Sequence, residues 1–239
     1  MAPTLSEPTI LVPFDASDPD PPSPSLVELL GAHRVVALGY WPVPDQSSTD
    51  QLRTEYGDEA ERVTDEVAAR FAAGGAGADA VVAFTHDRSE TISRVAAARD
   101  ADAVLTPGAI EGDVERVLAP IRGEGNLERI VSFLEALLRG SDAALTLLNV
   151  PEDDGDDRGE FLLRGVRDRL VADGIDADRV GWRREPAASP GDAIVDAAAD
   201  HDVVVVGETE PSLRERLLGD VSDRVIEATP RPVLVVRSP

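Results

Sequence analysis

The sequence predicts an α/β protein built from two parallel-sheet units in tandem, the first of them shortened. Three observations predict it. Short, branched, continuously apolar runs alternate with amphipathic helical patterns along all 239 residues. Two stretches of the chain repeat. The second copy ends in a helix and a strand for which the first has no room. Apolar runs of this length suit strands buried on both faces, hence parallel sheets. Strand–helix–strand alternation implies right-handed crossovers that lay helices against the sheet.

Ile10–Phe14 opens the first unit, and Val35–Leu38, Ala80–Phe84 and Ala103–Leu105 follow as strands. Proline-marked loops fall at Pro19–Pro24 and at Pro42, Pro44 and Ser47–Ser48. Leu52, Tyr56, Ala60, Val63, Val67 and Phe71 share one helical face that ends at Gly74–Gly75. Ser89 reads as the N-cap of a helix over Glu90–Ala98. The second unit begins at Val117–Ile121. In Asn126–Gly140, Leu127, Ile130, Val131, Leu134, Leu137 and Leu138 form one apolar face, with Asn126 read as N-cap and Gly140 as the C′ residue. After the strand Ala144–Val150, Pro151–Arg158 reads as an acidic, disordered loop. Phe161, Leu162, Val166 and Leu170 then form a helical face before Gly174, and Val180–Trp182 and Val203–Val206 are strands. Val221–Ala228 and Val233–Val236 are the closing helix and strand.

The repeat fixes the domain division. ILVPFDAS (10–17) matches VLAPIRGE (117–124), with Pro13 over Pro120. VAAARDADAVLTP (95–107) matches VDAAADHDVVVVG (195–207), with Asp100 over Asp200 and Asp102 over Asp202. After Leu105 only PGAIEGD precedes the next strand, so the first unit lacks a fourth helix and fifth strand. The expected domains are 1–112 and 113–239, each of the flavodoxin-like or Rossmann-like kind.

Composition narrows the setting. Forty-six acidic residues face 23 basic ones, a formal charge of -23, and every basic residue is Arg. Such a chain repels nucleic-acid phosphates and anionic membranes. Self-repulsion of this size destabilises the compact state unless salt screens it, so the sequence reads as that of a protein from a salt-rich cytoplasm. There is no cysteine, which excludes disulfides, thiolate metal sites and cysteine nucleophiles. No apolar run reaches the ~18 residues of a membrane span. The start, MAPTLSEPTILVPF, lacks a signal-peptide pattern, and a cytoplasmic location is expected.

RVLAPIRGEGNLERIVSFLEALLRGSDAALTLLNV and DVVVVGETEPSLRERLLGDVSDRVIEATPRPVLVVRS carry a resemblance. The chain resembles the universal stress protein family in its tandem form, over nearly its whole length and best in residues 115–239. The resemblance implies a stress-associated function and, in many members, ATP held by a loop of form G-x2-G-x9-G-[ST]. Glycines bring backbone N–H groups close to phosphates there, backed by a helix N-terminus. Gly207 matches the first glycine and Gly219 the third. Glu210 stands at the second, Pro211–Leu218 is one residue short, Asp220 replaces the Ser/Thr, and Ser222 is kept two residues on. Glu208, Glu210 and Asp220 would set carboxylates beside a polyanion. At ~4 Å and an effective dielectric of about 20, each such contact costs about 4 kcal/mol before screening, against ~0.3–1 kcal/mol from a helix terminus.

The family's other contact is an aspartate ending the first strand, on the base side of the nucleotide. The first unit has it as Asp15, followed by Ser17, but Pro107 stands where the glycine loop would begin. The second unit keeps the loop in outline, but Arg122 replaces the aspartate. No cofactor is therefore expected, ATP being the one the resemblance would supply. Other jobs exist for each residue. Asp220 reads as an N-cap, Asp15 as either a turn cap or a ligand contact, and Arg122 as a partner of a neighbouring carboxylate or a grip on an anion. The expected function is binding of a ligand or protein without catalysis. The alternative is a working adenine-nucleotide binder with slow hydrolysis, and transporter regulation is a third reading, since such domains also occur as transporter appendages.

His86-Asp87 ends a strand where α/β proteins place ligands, but it lacks a companion nucleophile and reads as a turn. His33 and His201 fall before strands and read as exposed; three scattered histidines make no zinc spacing. Trp41 and Trp182 read as core or pocket-lip aromatics. The first unit has no fifth strand for Val233–Val236 to meet. That apolar edge is expected to pair with a second copy in a homodimer.

Overall fold

The computed structural model describes residues 7–20, 22–151, 158–208 and 221–238, with the backbone alone at 221–224. The chain divides into two compact units, one of residues 7–107 and one from Gly108 onward.

The N-terminal unit runs β1 (Thr9–Asp15), α1 (Pro24–Gly31), β2 (Arg34–Pro42), α2 (Thr49–Ala72), β3 (Ala78–Thr85), α3 (Arg88–Ala98) and β4 (Ala103–Thr106). Its parallel strands lie in the order β3-β2-β1-β4. No fourth helix or fifth strand follows β4 within the unit, as the shortened repeat requires. The C-terminal unit runs β5 (Arg116–Pro120), α4 (Leu127–Arg139), β6 (Ala144–Asn149), α5 (Arg158–Ala172), β7 (Val180–Arg184), α6 (Pro190–Ala198), β8 (Val203–Gly207), α7 (Val221–Ala228) and β9 (Val233–Val236). Its strands lie β9-β8-β5-β6-β7, all parallel. The two orders coincide once β9 is removed.

Burial follows the apolar runs. Leu11, Val36, Leu38, Ala83, Val95 and Ala96 pack one core layer against α3. Leu118, Leu148, Ile194, Ala198, Val204, Val206, Val225 and Val233 form its counterpart under α6 and α7. Leu11 and Leu118 are equivalent in the repeat, so both copies build the same layer on the same sheet face.

The repeated aspartates hold equivalent places. The Asp102 carboxylate accepts a hydrogen bond from Thr9 N at 2.9 Å. That of Asp202 accepts from Glu115 N at 3.0 Å and Arg116 N at 2.8 Å. Each ties down the entry of its unit's first strand, where backbone donors would otherwise be unpaired.

The repeated prolines have a reason in register. Thr9 O accepts from Asp102 N, whereas Ala16 N donates to Tyr40 O on β2. Bonding direction alternates along a strand, so Pro13 turns its nitrogen toward β4. The β1–β4 ladder stops at Leu11–Val104. Pro120 likewise turns toward β8, where pairing stops at Leu118–Val204. A residue without an N–H sits in an interior strand at the place where no acceptor faces it.

Several local expectations are corrected. Asp87, not Ser89, caps α3, its carboxylate accepting from Glu90 N at 2.9 Å. Asn126 precedes α4 in a left-handed conformation (φ 57°) and makes no side-chain cap. Gly140 follows α4 at φ -87°, so it is no left-handed C′ residue. On α5 the buried face is Leu163, Val166 and Leu170, while Phe161 is 72% exposed. The apolar pattern alone did not settle the phase of that helix. The acidic stretch read as disordered falls largely at 152–157, outside the described residues, and Arg158 already begins α5.

Candidate functional site

Sheets of this order place a ligand crevice outside the carboxyl ends of the strands, where the strand order reverses. In the C-terminal unit that point lies between β5 and β8, whose ladder has already ended at Leu118–Val204. Arg122 follows β5 and is exposed, with its own interactions. Gly207 ends β8. The first turn of α4 closes over the same place. A Cβ built on Gly207 would lie 2.5 Å from Ile130 Cδ1, 3.2 Å from Ile130 Cγ1 and 3.8 Å from Asn126 Nδ2. A side chain at 207 would thus make the end of Ile130 on α4 shift.

Asn126, which the sequence offered only as a cap, is a tie. Its Nδ2 donates to Val236 O at 3.1 Å. The same carbonyl accepts from Glu208 N at 2.7 Å. Beyond it, the Glu208 carboxylate accepts from Ser238 N at 2.8 Å, and Ser238 Oγ donates to Glu208 O at 3.0 Å. The chain leaving Gly207 is therefore fastened along the end of β9, and a carboxylate stands at that edge. Gly219 and Asp220 lie outside the described residues, and Ser222 is placed only as backbone in α7.

In the N-terminal unit the equivalent point follows β1. Asp15 Oδ1 accepts from Ser17 N at 2.8 Å and from Ser17 Oγ at 2.6 Å, so the two predicted residues meet in a turn. Ser23, further along, caps α1 by accepting from Leu26 N, with Pro24 in the first turn. Across the edge, His86 Nδ1 lies 2.9 Å from Val43 O. Thr85 Oγ1 donates to Asp87 O and accepts from Asp87 N, which makes this pair part of the turn before α3. Trp41 is buried and stacks on Tyr56 at 4.8 Å and Phe84 at 5.8 Å between ring centroids, a core aromatic. Trp182 is half-buried under the guanidinium of Arg164.

His33 and His201, expected at the surface, are buried at 4% and 5% exposure. Burial lowers the pKa of both; at His201 a hydrogen bond to Ala197 O opposes that effect. Position before a strand carried no information about depth: each histidine is bonded through its backbone N–H to the end of the preceding helix, at Leu30 O and Ala198 O.

Residues 113–237 match the model of the universal stress protein family. That is more than half of the chain. The chain belongs to the universal stress protein family. Universal stress proteins also lead the solved structures that resemble it. One from Archaeoglobus fulgidus DSM 4304 is 20% identical with a TM-score of 0.67, over 96% of each chain. A putative universal stress protein from Pseudomonas aeruginosa UCBPP-PA14 is 15% identical with a TM-score of 0.59, over 98% of this chain and 94% of its own. A universal stress protein from Archaeoglobus fulgidus, solved in complex with dAMP, is 20% identical over 52% of this chain and 97% of its own, with a TM-score of 0.40. The first two likenesses extend the α/β fold beyond the region that the family model matches. The chain matches none of the curated proteins compared with it. Among the described residues no helix is long and apolar enough to cross a membrane.

Proposed function

We propose that this universal stress protein acts by binding a ligand or a protein partner, without catalysis, and that its C-terminal unit has lost the family's hold on ATP. One observation carries the proposal. Glu208, the first residue after Gly207, has its backbone N–H taken by Val236 O and its carboxylate held at Ser238 N, on the edge a phosphate tail would approach. A phosphate cradle needs free N–H groups and positive potential at that place; here the first donor is engaged and a negative charge is fixed.

Calorimetry with ATP, ADP and AMP in molar salt, with and without magnesium, tests this. The expected result is no saturable heat in magnesium-free solution. Saturable binding of ATP without a divalent ion would refute the loss and favour a working nucleotide binder. Binding with magnesium alone would mean that the metal bridges carboxylate and phosphate, reversing the local charge.

A further inference from the structure

His33 is set apart from the other histidines. It lies in the turn between α1 and β2, its backbone N–H bonded to Leu30 O at 2.9 Å, and its Nε2 is buried without a hydrogen-bond partner. The surrounding backbone is unusually close. A Cβ on Gly74 would lie 2.6 Å from the backbone of Gly31, Ala76 N bonds Gly31 O, and Val35 N bonds Gly77 O. Phe71 and Leu30, both fully buried, close the same junction of α1, α2 and the start of β3. The charged groups on these segments are Glu28 on α1, Arg34 on β2, Arg70 on α2 and Asp79 on β3, joined by Arg99 from α3. All are exposed. Arg34 pairs with Asp79 at 2.8 Å, and Arg99 reaches the same carboxylate at 3.9 Å. None of them bonds His33 Nε2.

We propose that His33 is an acid-triggered release for the N-terminal unit: protonation places an unpaired N–H and a charge inside the α1–α2–β3 junction and opens it. A protonated imidazole donates from both nitrogens, and a buried charge without a partner is costly. His201 serves as the control: it lies in the other unit, and the contact of its Nδ1 with Ala197 O at 2.8 Å opposes the lowering by burial. The sign follows from linkage. Burial holds the folded-state pKa of His33 below its ordinary value, so the open state binds the extra proton. Stability is full above the ordinary histidine pKa of about 6.5 and falls as pH drops below it.

Hydrogen exchange on the full chain in molar salt, corrected for intrinsic rates, reads the effect. Protection of amides at 30–38 should fall by up to about tenfold per pH unit below about pH 6.5, the slope of one proton. His33→Leu should abolish that slope, and His201→Leu should leave it in place. The same slope in His33→Leu, or none in the parent, would overturn the proposal. If His33→Leu does not fold, the ring's own NMR titration in the parent decides. A midpoint below about 6.5 supports the release, and one at or above it refutes it.

Discussion

Gly207 shows how one residue can satisfy two explanations that make different demands. A phosphate loop requires glycine for the approach of a ligand; packing favours it beside the end of Ile130. Ile130 is 6% exposed and belongs to the helix that covers β8, so a methyl group at 207 has to displace it. Gly207→Ala should therefore destabilise the chain by about 1 kcal/mol, the low end of overpacking costs, because the clash falls on the movable end of Ile130. Trimming the neighbour in Gly207→Ala/Ile130→Val should recover part of that loss, a coupling that a double-mutant cycle in urea measures. Equal destabilisation with Ile130 intact or trimmed would mean that the glycine serves something other than packing. Glu208 is a matching case. Its charge was visible in the sequence, but its two ties to Ser238 were not, because the partner lies 30 residues away.

At the level of the element, the repeated aspartates act as pins. Asp202 is 8% exposed and holds two backbone donors at the entry of β5. Asp202→Ala leaves both to be met by water or not at all. The expected loss is about 1–3 kcal/mol, since a charged acceptor and two part-buried hydrogen bonds are involved. Asp202→Asn, which keeps one carbonyl oxygen, should lose less, and thermal melts of the pair compare them. The pins were legible as a repeat in the sequence, as were the strand runs, the parallel sheet and the missing end of the first unit, because each is written as hydrophobic pattern or spacing. What sequence could not show was choice among near-equal local options. Asp87 and Ser89 are both good caps, and only the turn made by Thr85 selects Asp87. Phe161 and Leu163 both fit a helical stripe, and the sheet selects Leu163. Asn126 is a good cap by type, yet it is left-handed and reaches across to β9, a bond 110 residues long in sequence.

For the whole molecule the governing quantity is the charge of -23. Arginine, outnumbered two to one by acidic residues, is put to structural use: the guanidinium of Arg179 alone donates to the carbonyls of Leu138, Ser141 and Ala143 behind the end of α4. Its planar fork suits several carbonyls at once, which a lysine would not. The carboxylates are less well compensated. On α2, Glu55, Asp58, Glu59, Glu61 and Asp65 are all exposed along one helix. A hydrogen bond donated to the Glu55 carboxylate, with the charges of Glu55 and Glu59, holds the Tyr56 phenol above its ordinary pKa. That potential opposes folding and decays with salt, as the screening length falls from about 30 Å at 0.01 M to about 3 Å at 1 M. Relief of a few kcal/mol should raise the melting temperature by roughly 5–15 °C between those salt concentrations for a chain of this size. Changing those five carboxylates to Gln and Asn should reduce the salt slope while raising stability at low salt. If the parent melts at one temperature across the whole range, the surface charge is ordinary decoration and the saline habitat inferred from composition is wrong.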